Sequence, residues 1–329
     1  MKRVVSGIRA TGQLHIGHLV GALQNYLSLQ EKYESFFFIA DLHALTTNYE
    51  HTEILKTNRL EVMLDMLSVG LDPQKCTLFV QSKVPEHAYL HLLLSMIVPI
   101  PWVERNPTVK EMIRDLNLKE NASYGLLGYP ILMTTDIIIY KAHFVPVGKD
   151  QLPHLEISRE IVRRFNSLYG EIFVEPQALL TEFPYLPGVD GRKMSKSLNN
   201  DIKIADSEEE TTKKVMSAVT DPQKIKLHDK GHPNICTVFT YQKIFNKEEL
   251  EEIKKDCKSG KLGCVECKKR LAAKLNSSLK EIRVKRIKLK NNIKSVEETF
   301  AEGSRKARKI ASRTLEEAIG FMKIDGKFS

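Results

Sequence analysis

Two histidines flank a glycine near the start of the chain, in the segment His15-Ile16-Gly17-His18. The segment precedes a helical pattern, so it would lie at a helix N-terminus, where free N–H groups and the helix dipole attract phosphate. Gly17 would let a nucleotide approach the backbone closely. The two imidazoles could donate hydrogen bonds to phosphate oxygens as charge builds in a transition state. Taken alone, so short a motif also fits histidines that cap a helix or pack in a core.

A second candidate phosphate site is the loop Lys193-Met194-Ser195-Lys196-Ser197, which follows a stretch with glycines at 188 and 191. Two lysines three residues apart on a mobile loop could close over a polyphosphate and hold the leaving pyrophosphate. A solvated basic loop is the plainer alternative. Because one motif follows the first predicted strand and the other follows the last, their joint presence favours a nucleotide-binding enzyme.

Four of the five cysteines lie together in the second half of the chain. They are Cys236, Cys257, Cys264 and Cys267, separated by twenty, six and two residues. Thiolates at this spacing can close one tetrahedral or cubane metal site, and their softness allows either Zn²⁺ or an iron–sulfur cluster. In a reducing compartment such a group indicates metal or redox chemistry rather than a disulfide framework. Four unrelated buried cysteines are the alternative.

The elements that must position these residues alternate between strand and helix in the first half. Apolar runs predict strands at 3–8, 36–40, 77–80 and 144–147, and helical patterns occupy 19–33 and 52–67. This alternation predicts a doubly wound, parallel sheet of the α/β class. Polar residues or glycines follow each run, so the carboxyl edge of the sheet is the predicted site.

The rest of the chain has a different character. An insertion at about 100–141 contains the only tryptophan, Trp102. Strand patterns stop beyond residue 203, and 206–329 is typical of helices with Lys/Glu-rich faces. We therefore expect one domain at 1–200 and a second, α-helical domain at 201–329. Within the latter, residues 280–294 hold seven Lys or Arg against one acid, which predicts a helix with a basic face.

Composition limits the class of protein. The chain has 329 residues, of which 42% are hydrophobic and 28% charged, and it carries a net charge of +9. Residues 1–200 hold 20 Lys and Arg against 21 Asp and Glu, whereas residues 201–329 hold 30 against 20. The positive excess therefore lies in the second domain and suggests a polyanion-binding surface, with a solvated lysine-rich surface as the alternative. No membrane-spanning run or signal peptide is visible, so we expect a soluble, cytoplasmic protein without a membrane partner.

The histidine motif and the lysine loop resemble the HIGH and KMSKS signatures of class I aminoacyl-tRNA synthetases, over nearly the whole chain. Within that class the chain is most similar to tryptophanyl-tRNA synthetases of the bacterial type. The matching segments are SGIRATG at 6–12, DLHALTT at 41–47, GLLGYP at 125–130, MTTD at 133–136, VPVGKDQ at 145–151 and AVTD at 218–221. The resemblance implies a Rossmann-like catalytic domain, a connective insertion that forms a homodimer contact, and a helical anticodon-binding domain.

The resemblance also implies roles residue by residue. The residues expected to bind ATP are Arg9, Ala10, Thr11, Gly17, His18, Gly148, Lys149, Asp150, Leu186, Lys193, Met194, Ser195, Lys196 and Ser197. The catalytic residues among the two motifs would be His15, His18, Lys193 and Lys196. Asp136 would accept the indole N–H of tryptophan, and Tyr129 and Gln151 would hold its α-amino group. The pocket would be shaped by Gly7, His43, Met133, Ile137, Val145 and Val147. Lys110 is the nearest candidate for a lysine that some relatives use within the insertion.

The implied reaction is that of a tryptophan–tRNA ligase. It would convert L-tryptophan and ATP, with Mg²⁺, to tryptophanyl-adenylate and pyrophosphate, and then transfer tryptophan to tRNA(Trp). A subset of the family carries a [4Fe–4S] cluster on four cysteines near the anticodon-reading region, with a first gap two residues longer than here. We therefore expect a [4Fe–4S] cluster with a structural, RNA-contacting role, and Zn²⁺ is the alternative.

Other functions remain open on the sequence alone. Tyrosine-specific members of the class share the fold but differ between Tyr129 and Asp136. A nucleotidyltransferase with the histidine motif would lack the lysine loop and the basic helical extension. A metal-stabilised RNA-binding protein would not exchange pyrophosphate with ATP. Asp136 itself could be a helix cap that follows Thr134-Thr135.

Overall fold

The computed structural model describes residues 1–115, 122–180 and 186–326. These residues form two compact units. The first comprises the described residues within Met1–Gly12, Asn25–Glu182 and Asn292–Ser329, and the second those within Gln13–Gln24 and Phe183–Asn291. The histidine motif and the lysine loop therefore belong to the same unit, although they lie far apart in sequence. The division at residue 200 into catalytic and anticodon-binding domains is a functional one and stays a prediction.

A five-stranded parallel sheet lies in the first unit, with the strand order β3-β2-β1-β4-β5. The strands are β1 (Arg3–Arg9), β2 (Glu34–Ala40), β3 (Cys76–Val80), β4 (Phe144–Val147) and β5 (Gln177–Leu180). Six of the seven residues of β2 are buried, which is the pattern of a strand covered on both faces. The predicted α/β, Rossmann-like class is confirmed. The fifth strand was missed because Gln177–Leu180 is short and partly exposed.

Helices make up most of the remaining described chain. They are α1 (Ile16–His18), α2 (Gln24–Leu29), α3 (Asp41–Asn48), α4 (Ile54–Val69), α5 (Glu86–Ser95), α6 (Ile100–Glu104), α7 (Pro107–Asp115), α8 (Tyr124–Ile138), α9 (Leu152–Tyr169), α10 (Glu208–Ser217), α11 (Thr237–Phe245), α12 (Leu250–Ser259), α13 (Cys264–Lys290) and α14 (Ile293–Phe321). A π-helical turn, Leu19–Leu23, joins α1 to α2. None of the described helices is both long and apolar enough to cross a membrane.

The last helix, α14, belongs to the first unit and covers β3, the edge strand of the sheet. Ser304 Oγ accepts a hydrogen bond from the Val80 N–H at 3.2 Å. Gly303 lies so close to β3 that an added Cβ would be 1.8 Å from the Leu78 carbonyl oxygen. A strand edge that would otherwise expose unpaired backbone groups is thus covered by a helix.

The prediction of one basic helix over 280–294 is wrong in its extent, because α13 ends at Lys290 and α14 begins at Ile293. Asn292 caps the second helix, and its side chain accepts a hydrogen bond from the Ser295 N–H. The break also separates the two units. The positive charge continues across the break and gives no indication of it. The adjacent pair Asn291-Asn292 does signal a helix end and an N-cap, but the helical periodicity on both sides predicts one continuous helix.

Candidate active site

The carboxyl ends of three neighbouring strands lie side by side in the first unit. Register pairs Arg9 with Ala40 and Ile39 with Val80, so the residues that follow each strand meet at one edge. Asp41 then begins α3, and Gln81 follows β3 directly. Parallel pairing therefore brings the polar residues that follow separate strands to one edge of the sheet.

Asp136, near the end of α8, is the centre of a buried hydrogen-bond network at this edge. It is 2% exposed. His87 Nδ1 lies 2.5 Å from its Oδ1 and His43 Nε2 lies 2.8 Å from its Oδ2. Gln81 Nε2 donates to both oxygens, at 2.7 and 2.9 Å. Asp136 is not a helix cap, because α8 begins with Ser123 as its cap and the carboxylate bonds to side chains of other elements.

These partners keep the carboxyl group of Asp136 ionised. Burial alone would raise its pKa, but the hydrogen bonds to His43 and His87 lower the pKa below the ordinary value. A buried, ionised carboxylate can only accept hydrogen bonds. It is therefore suited to bind a substrate N–H group.

Other residues predicted for the tryptophan pocket lie in the same unit. Tyr129 is buried on α8, and its hydroxyl lies 2.8 Å from His154 Nε2 on α9. Burial raises the pKa of Tyr129 above its usual range, although the nearby charge of Arg9 acts in the opposite direction. Gly7 lies against the ring of Phe38, where an added Cβ would be 2.5 Å from a ring carbon. The structure buries Ile137, Val145 and Val147, leaves Met133 partly buried beside the core, and places Gln151 before α9.

Arg9 ends β1 and is held by hydrogen bonds to α3. Its Nη2 donates to the His43 carbonyl oxygen at 3.1 Å and to Thr47 Oγ1 at 2.7 Å. Its Nε is buried without a hydrogen-bond partner among the described residues. A guanidinium held at one end, with a donor still available, is suited to bind an anionic ligand.

In the second unit, backbone pairing ties the histidine motif to the chain that follows the lysine loop. His15 pairs with Lys203 in an antiparallel bridge, and the Ile16 N–H donates to the Ile202 carbonyl oxygen at 2.9 Å. An alanine Cβ at Gly17 would lie 3.5 Å from Met194 Sδ and 2.9 Å from the His15 ring. The structure thus brings the two sequence motifs into contact, within one unit.

The electrostatics of this contact favour uncharged histidines. Burial, and then the charge of Lys196, lower the pKa of His15 to about 4. Burial, His15 and Lys196 lower the pKa of His18 well below its ordinary value. The imidazole rings lie 3.8 Å apart between centroids. Both rings are therefore neutral near pH 7, and each can donate one hydrogen bond while Lys196 carries the positive charge.

A buried asparagine, Asn200, holds the lysine loop in shape. Its Oδ1 accepts from the Ser195 N–H at 2.8 Å, and its Nδ2 donates to Asp190 Oδ1 and to the Lys193 carbonyl oxygen. Asn200 is 2% exposed. Asn200 was not predicted as a site residue, although the polar pair Asn199-Asn200 lies only one residue beyond the motif. A loop that is hydrogen-bonded at its base can still present its lysines to a ligand.

The remaining residues predicted to bind ATP are divided between the two units. Ala10, Thr11 and the turn Gly148–Lys149 belong to the first unit, and the buried Leu186 and Met194 to the second. The side chains of Asp150 and Ser197 lie outside the described part of the structure. Lys110 is exposed on α7. No structural observation assigns these residues to ATP, so their roles stay predictions.

The four clustered cysteines all lie in the second unit. Cys236 is the N-cap residue of α11, and burial is the largest cause that raises the pKa of its thiol. Gln242 Nε2 lies 3.5 Å from Cys267 Sγ. Burial is the largest cause that raises the pKa of Cys267 to about 11, and the charges of the other three thiols add to it. Within residues 1–115, 122–180 and 186–326, no set of three or more His, Cys, Asp or Glu side chains is close enough to hold a metal ion.

Matches to known proteins extend over residues of both units. Residues 1–280 match the family model of class I tRNA synthetases for tryptophan and tyrosine. A tryptophan–tRNA ligase of Aquifex aeolicus is 46% identical, and the match covers 96% of this chain and 98% of that protein. The chain belongs to the class I tryptophanyl-tRNA synthetases of bacterial type. Its function is accordingly that of a tryptophan–tRNA ligase, which is an aminoacyl-tRNA synthetase.

Two further relatives agree with this membership. A tryptophan–tRNA ligase of Thermotoga maritima is also 46% identical, over 96% of this chain and 97% of its own length. The crystal structure of tryptophanyl-tRNA synthetase from Campylobacter jejuni, in complex with ADP and tryptophan, superposes with a TM-score of 0.87 at 36% identity. It covers 98% of this chain and 99% of that one. The tyrosine-specific and nucleotidyltransferase alternatives are therefore not supported.

Proposed function

We propose that this tryptophanyl-tRNA synthetase selects tryptophan through the buried, ionised carboxylate of Asp136, activates it with ATP, and transfers it to tRNA(Trp). The observation that carries this proposal is the hydrogen-bond network that fixes Asp136 at the carboxyl edge of the sheet. Phenylalanine could fill an aromatic pocket but has no N–H group to donate to this acceptor. Sites built to hydrogen-bond a substrate group reject analogues that lack it by roughly 10⁴- to 10⁵-fold.

Activation needs no general base, because the α-carboxyl group of the substrate has a pKa of about 3.5 and is already ionised. That carboxylate attacks the α-phosphorus of ATP in line, and pyrophosphate leaves. His15 and His18 donate hydrogen bonds to the phosphates, and Lys193 and Lys196 stabilise the negative charge of the leaving group. Mg²⁺ bound with ATP supplies further neutralisation of the phosphate charge. In the second step the 2′-hydroxyl group of the terminal adenosine of tRNA attacks the adenylate carbonyl carbon, the bond to the phosphate oxygen breaks, and AMP leaves with release of the hydroxyl proton.

The remaining predicted contacts orient the two substrates. Tyr129 and Gln151 hold the α-amino group of tryptophan, and Gly7, Met133 and Val145 are among the residues that shape its pocket. Gly148 and Lys149 contact the ribose and adenine region of ATP. Orientation of this kind supplies much of the acceleration when no acid–base chemistry is required.

The test is ATP–pyrophosphate exchange with tryptophan, tyrosine and phenylalanine, in the parent and in Asp136→Ala and Asp136→Asn. We expect the parent to use tryptophan alone and both variants to lose most of its preference over phenylalanine. Asp136→Asn is the closer comparison, since it keeps the side-chain size and removes the charge. Undiminished discrimination in Asp136→Ala, or a parent that prefers tyrosine, would contradict the proposal.

For the four cysteines we propose a [4Fe–4S] cluster with a structural role near bound tRNA, and Zn²⁺ as the second candidate. Four cysteines are the ligand set of such a group, and Gln242 Nε2, 3.5 Å from Cys267 Sγ, is a donor of the kind that stabilises a thiolate ligand. When bound, the group would cross-link the loop before α11 to α12 and α13. Anaerobic purification followed by iron, sulfide and zinc analysis tests this, with Cys264→Ser/Cys267→Ser as the depleted variant and Cys76→Ser as the matched control. Metal-free parent protein would refute both candidates.

We further propose that the chain is a cytoplasmic homodimer. On α5 and its C-cap, Tyr89, Leu92 and Met96 recur at helical spacing and are 44%, 49% and 70% exposed. Ile100 and Tyr124, both within the insertion expected to form the dimer contact, are also exposed. Exposed apolar residues grouped on one helix face are typical of a protein interface. Sedimentation of Leu92→Glu/Met96→Glu should show monomers, whereas Ile225→Glu, at an exposed apolar residue of the second unit, should leave the dimer intact.

A further inference from the structure

A buried relay of three side chains ends at Asp136. The Tyr140 hydroxyl lies 2.7 Å from His87 Nε2, and His87 Nδ1 lies 2.5 Å from Asp136 Oδ1. Tyr140 and His87 are both 0% exposed. Neither residue belongs to the set predicted from the sequence to bind tryptophan.

The chemistry of the three groups indicates which of them donates and which accepts in each hydrogen bond. A carboxylate has no proton to donate, so His87 Nδ1 must donate to Asp136. In the tautomer that carries its proton on Nδ1, Nε2 is an acceptor, and the Tyr140 hydroxyl donates a hydrogen bond to it. Burial raises the pKa of Tyr140 well above its usual value, which keeps that hydroxyl protonated. Tyr140 thereby sets the tautomer of His87, and His87 presents an N–H to Asp136.

The donors around Asp136 differ in how easily they can be replaced. Oδ1 of Asp136 accepts hydrogen bonds from Gln81 and His87, and Oδ2 accepts hydrogen bonds from Gln81 and His43. The side chains of Gln81 and His87 are wholly buried, whereas that of His43 is 13% exposed. His43 is also the only one of the three that was expected to line the substrate pocket. A substrate N–H that approaches Asp136 would therefore compete with His43 for Oδ2.

We infer that His87, held in one tautomer by Tyr140, is a positioning residue for tryptophan recognition: it anchors Oδ1 of Asp136, so that Oδ2 can exchange His43 for the indole N–H. The inference rests on the proposed role of Asp136. It adds two residues that do not touch the substrate and assigns His43 to the free enzyme as the donor that the substrate replaces. Fixing the acceptor in advance means that substrate binding does not have to order it.

Steady-state exchange assays on four variants test the inference. His87→Leu should raise the KM for tryptophan about 10- to 100-fold, with little change in the KM for ATP, because a hydrogen bond to a charged group is lost from binding. His87→Asn should recover most of this loss, since its amide nitrogen can occupy the position of Nδ1. Tyr140→Phe, which deletes one hydroxyl, should raise the KM for tryptophan about 3- to 10-fold. Tyr26→Phe is the control, because it deletes a buried hydroxyl that donates to Ser6 instead.

The outcomes separate this inference from the proposed function. If Asp136→Asn loses discrimination while His87→Leu and Tyr140→Phe keep the parental KM for tryptophan, the inference is wrong and the role of Asp136 stands. If His87→Leu and Tyr140→Phe lower kcat, or raise the KM for ATP as much as the KM for tryptophan, the relay only supports the fold. The inference is then again wrong. Should His87→Leu fail to fold by circular dichroism, His87→Asn and Tyr140→Phe decide. A rise confined to the KM for tryptophan, absent in Tyr26→Phe, supports it.

Discussion

At the scale of single residues, environment decides what identical side chains do. The second unit holds His15 and His18 as half-buried neutral rings beside a lysine, whereas the first unit aligns His43 and His87 with a carboxylate. The same imidazole is thus suited to bind a phosphate in one place and to orient an acceptor in another. Residue type alone indicates only that either role is available.

The desolvation of the His15 imidazole predicts a loss of stability in acid. The pKa of His15 is about 4 in the folded protein and about 6.5 in an exposed histidine. Between these values the unfolded chain binds a proton that the folded chain does not, so the free energy of unfolding falls as the pH falls. Between pH 7 and pH 5 we expect the free energy of unfolding of His15→Asn to fall by about 2 kcal/mol less than that of the parent.

Urea unfolding at both pH values measures this difference. His51→Asn is the matched control, since His51 is an exposed histidine, and its pH dependence should equal that of the parent. Parallel pH dependences for His15→Asn and His51→Asn would contradict the burial argument.

At the scale of elements, small residues decide where helices pack. α14 contains two glycines with opposite surroundings: Gly303 contacts the backbone of β3, whereas Gly320 has nothing within 4 Å of an added Cβ. Helical periodicity treats the two positions alike. Only the close approach of a strand distinguishes them.

These two glycines make a matched pair for mutagenesis. Gly303→Ala should destabilise the protein by about 1–3 kcal/mol, because the new methyl group would force α14 away from the Leu78 carbonyl. Gly320→Ala should be neutral or stabilise by up to about 1 kcal/mol, since alanine is the better helix former. Thermal and denaturant unfolding of the two variants measures both effects. Equal stability of the two would show that α14 does not pack tightly on β3.

At the scale of the whole molecule, charge is segregated along the chain. Residues 201–329 carry a net charge of +10, while residues 1–200 are nearly neutral. On α13, Lys285 and Lys288 are exposed. Such a distribution suits a protein whose large polyanionic substrate, tRNA, binds through phosphate contacts.

Binding of tRNA should therefore weaken steeply with salt. We expect the affinity to fall at least about 10-fold as the salt concentration rises from about 50 mM to about 200 mM. The double variant Lys285→Gln/Lys288→Gln should bind tRNA more weakly. The slope of log affinity against log salt concentration should be shallower than that of the parent by up to about 1.4. Lys32→Gln/Lys56→Gln, which removes two exposed lysines of the first unit, should keep the parental slope. Fluorescence titration with tRNA provides the measurement, and an unchanged slope in the α13 variant would exclude these lysines from the interface.

The class of fold and four of the five strands could be predicted from the sequence, and the two candidate phosphate motifs could be recognised in it. Apolar runs that alternate with helical patterns depend on local hydrophobicity, and the histidine and lysine motifs are contiguous, so both are visible without a partner segment. β5 was missed because a short, half-exposed strand has no strong local pattern. The end of α13 was missed because positive charge continues across the break.

Tertiary structure alone decided which distant residues meet. His87 and Tyr140 are ordinary core positions in the sequence, and they become part of one relay only when α5 and α8 pack together. Likewise, the contact of Gly17 with Met194 joins segments that are far apart in sequence. Local patterns reflect the solvation of each residue, whereas the partners of a buried polar group depend on long-range packing. For that reason Asp136 could be named from the sequence, but the donors that hold it could not.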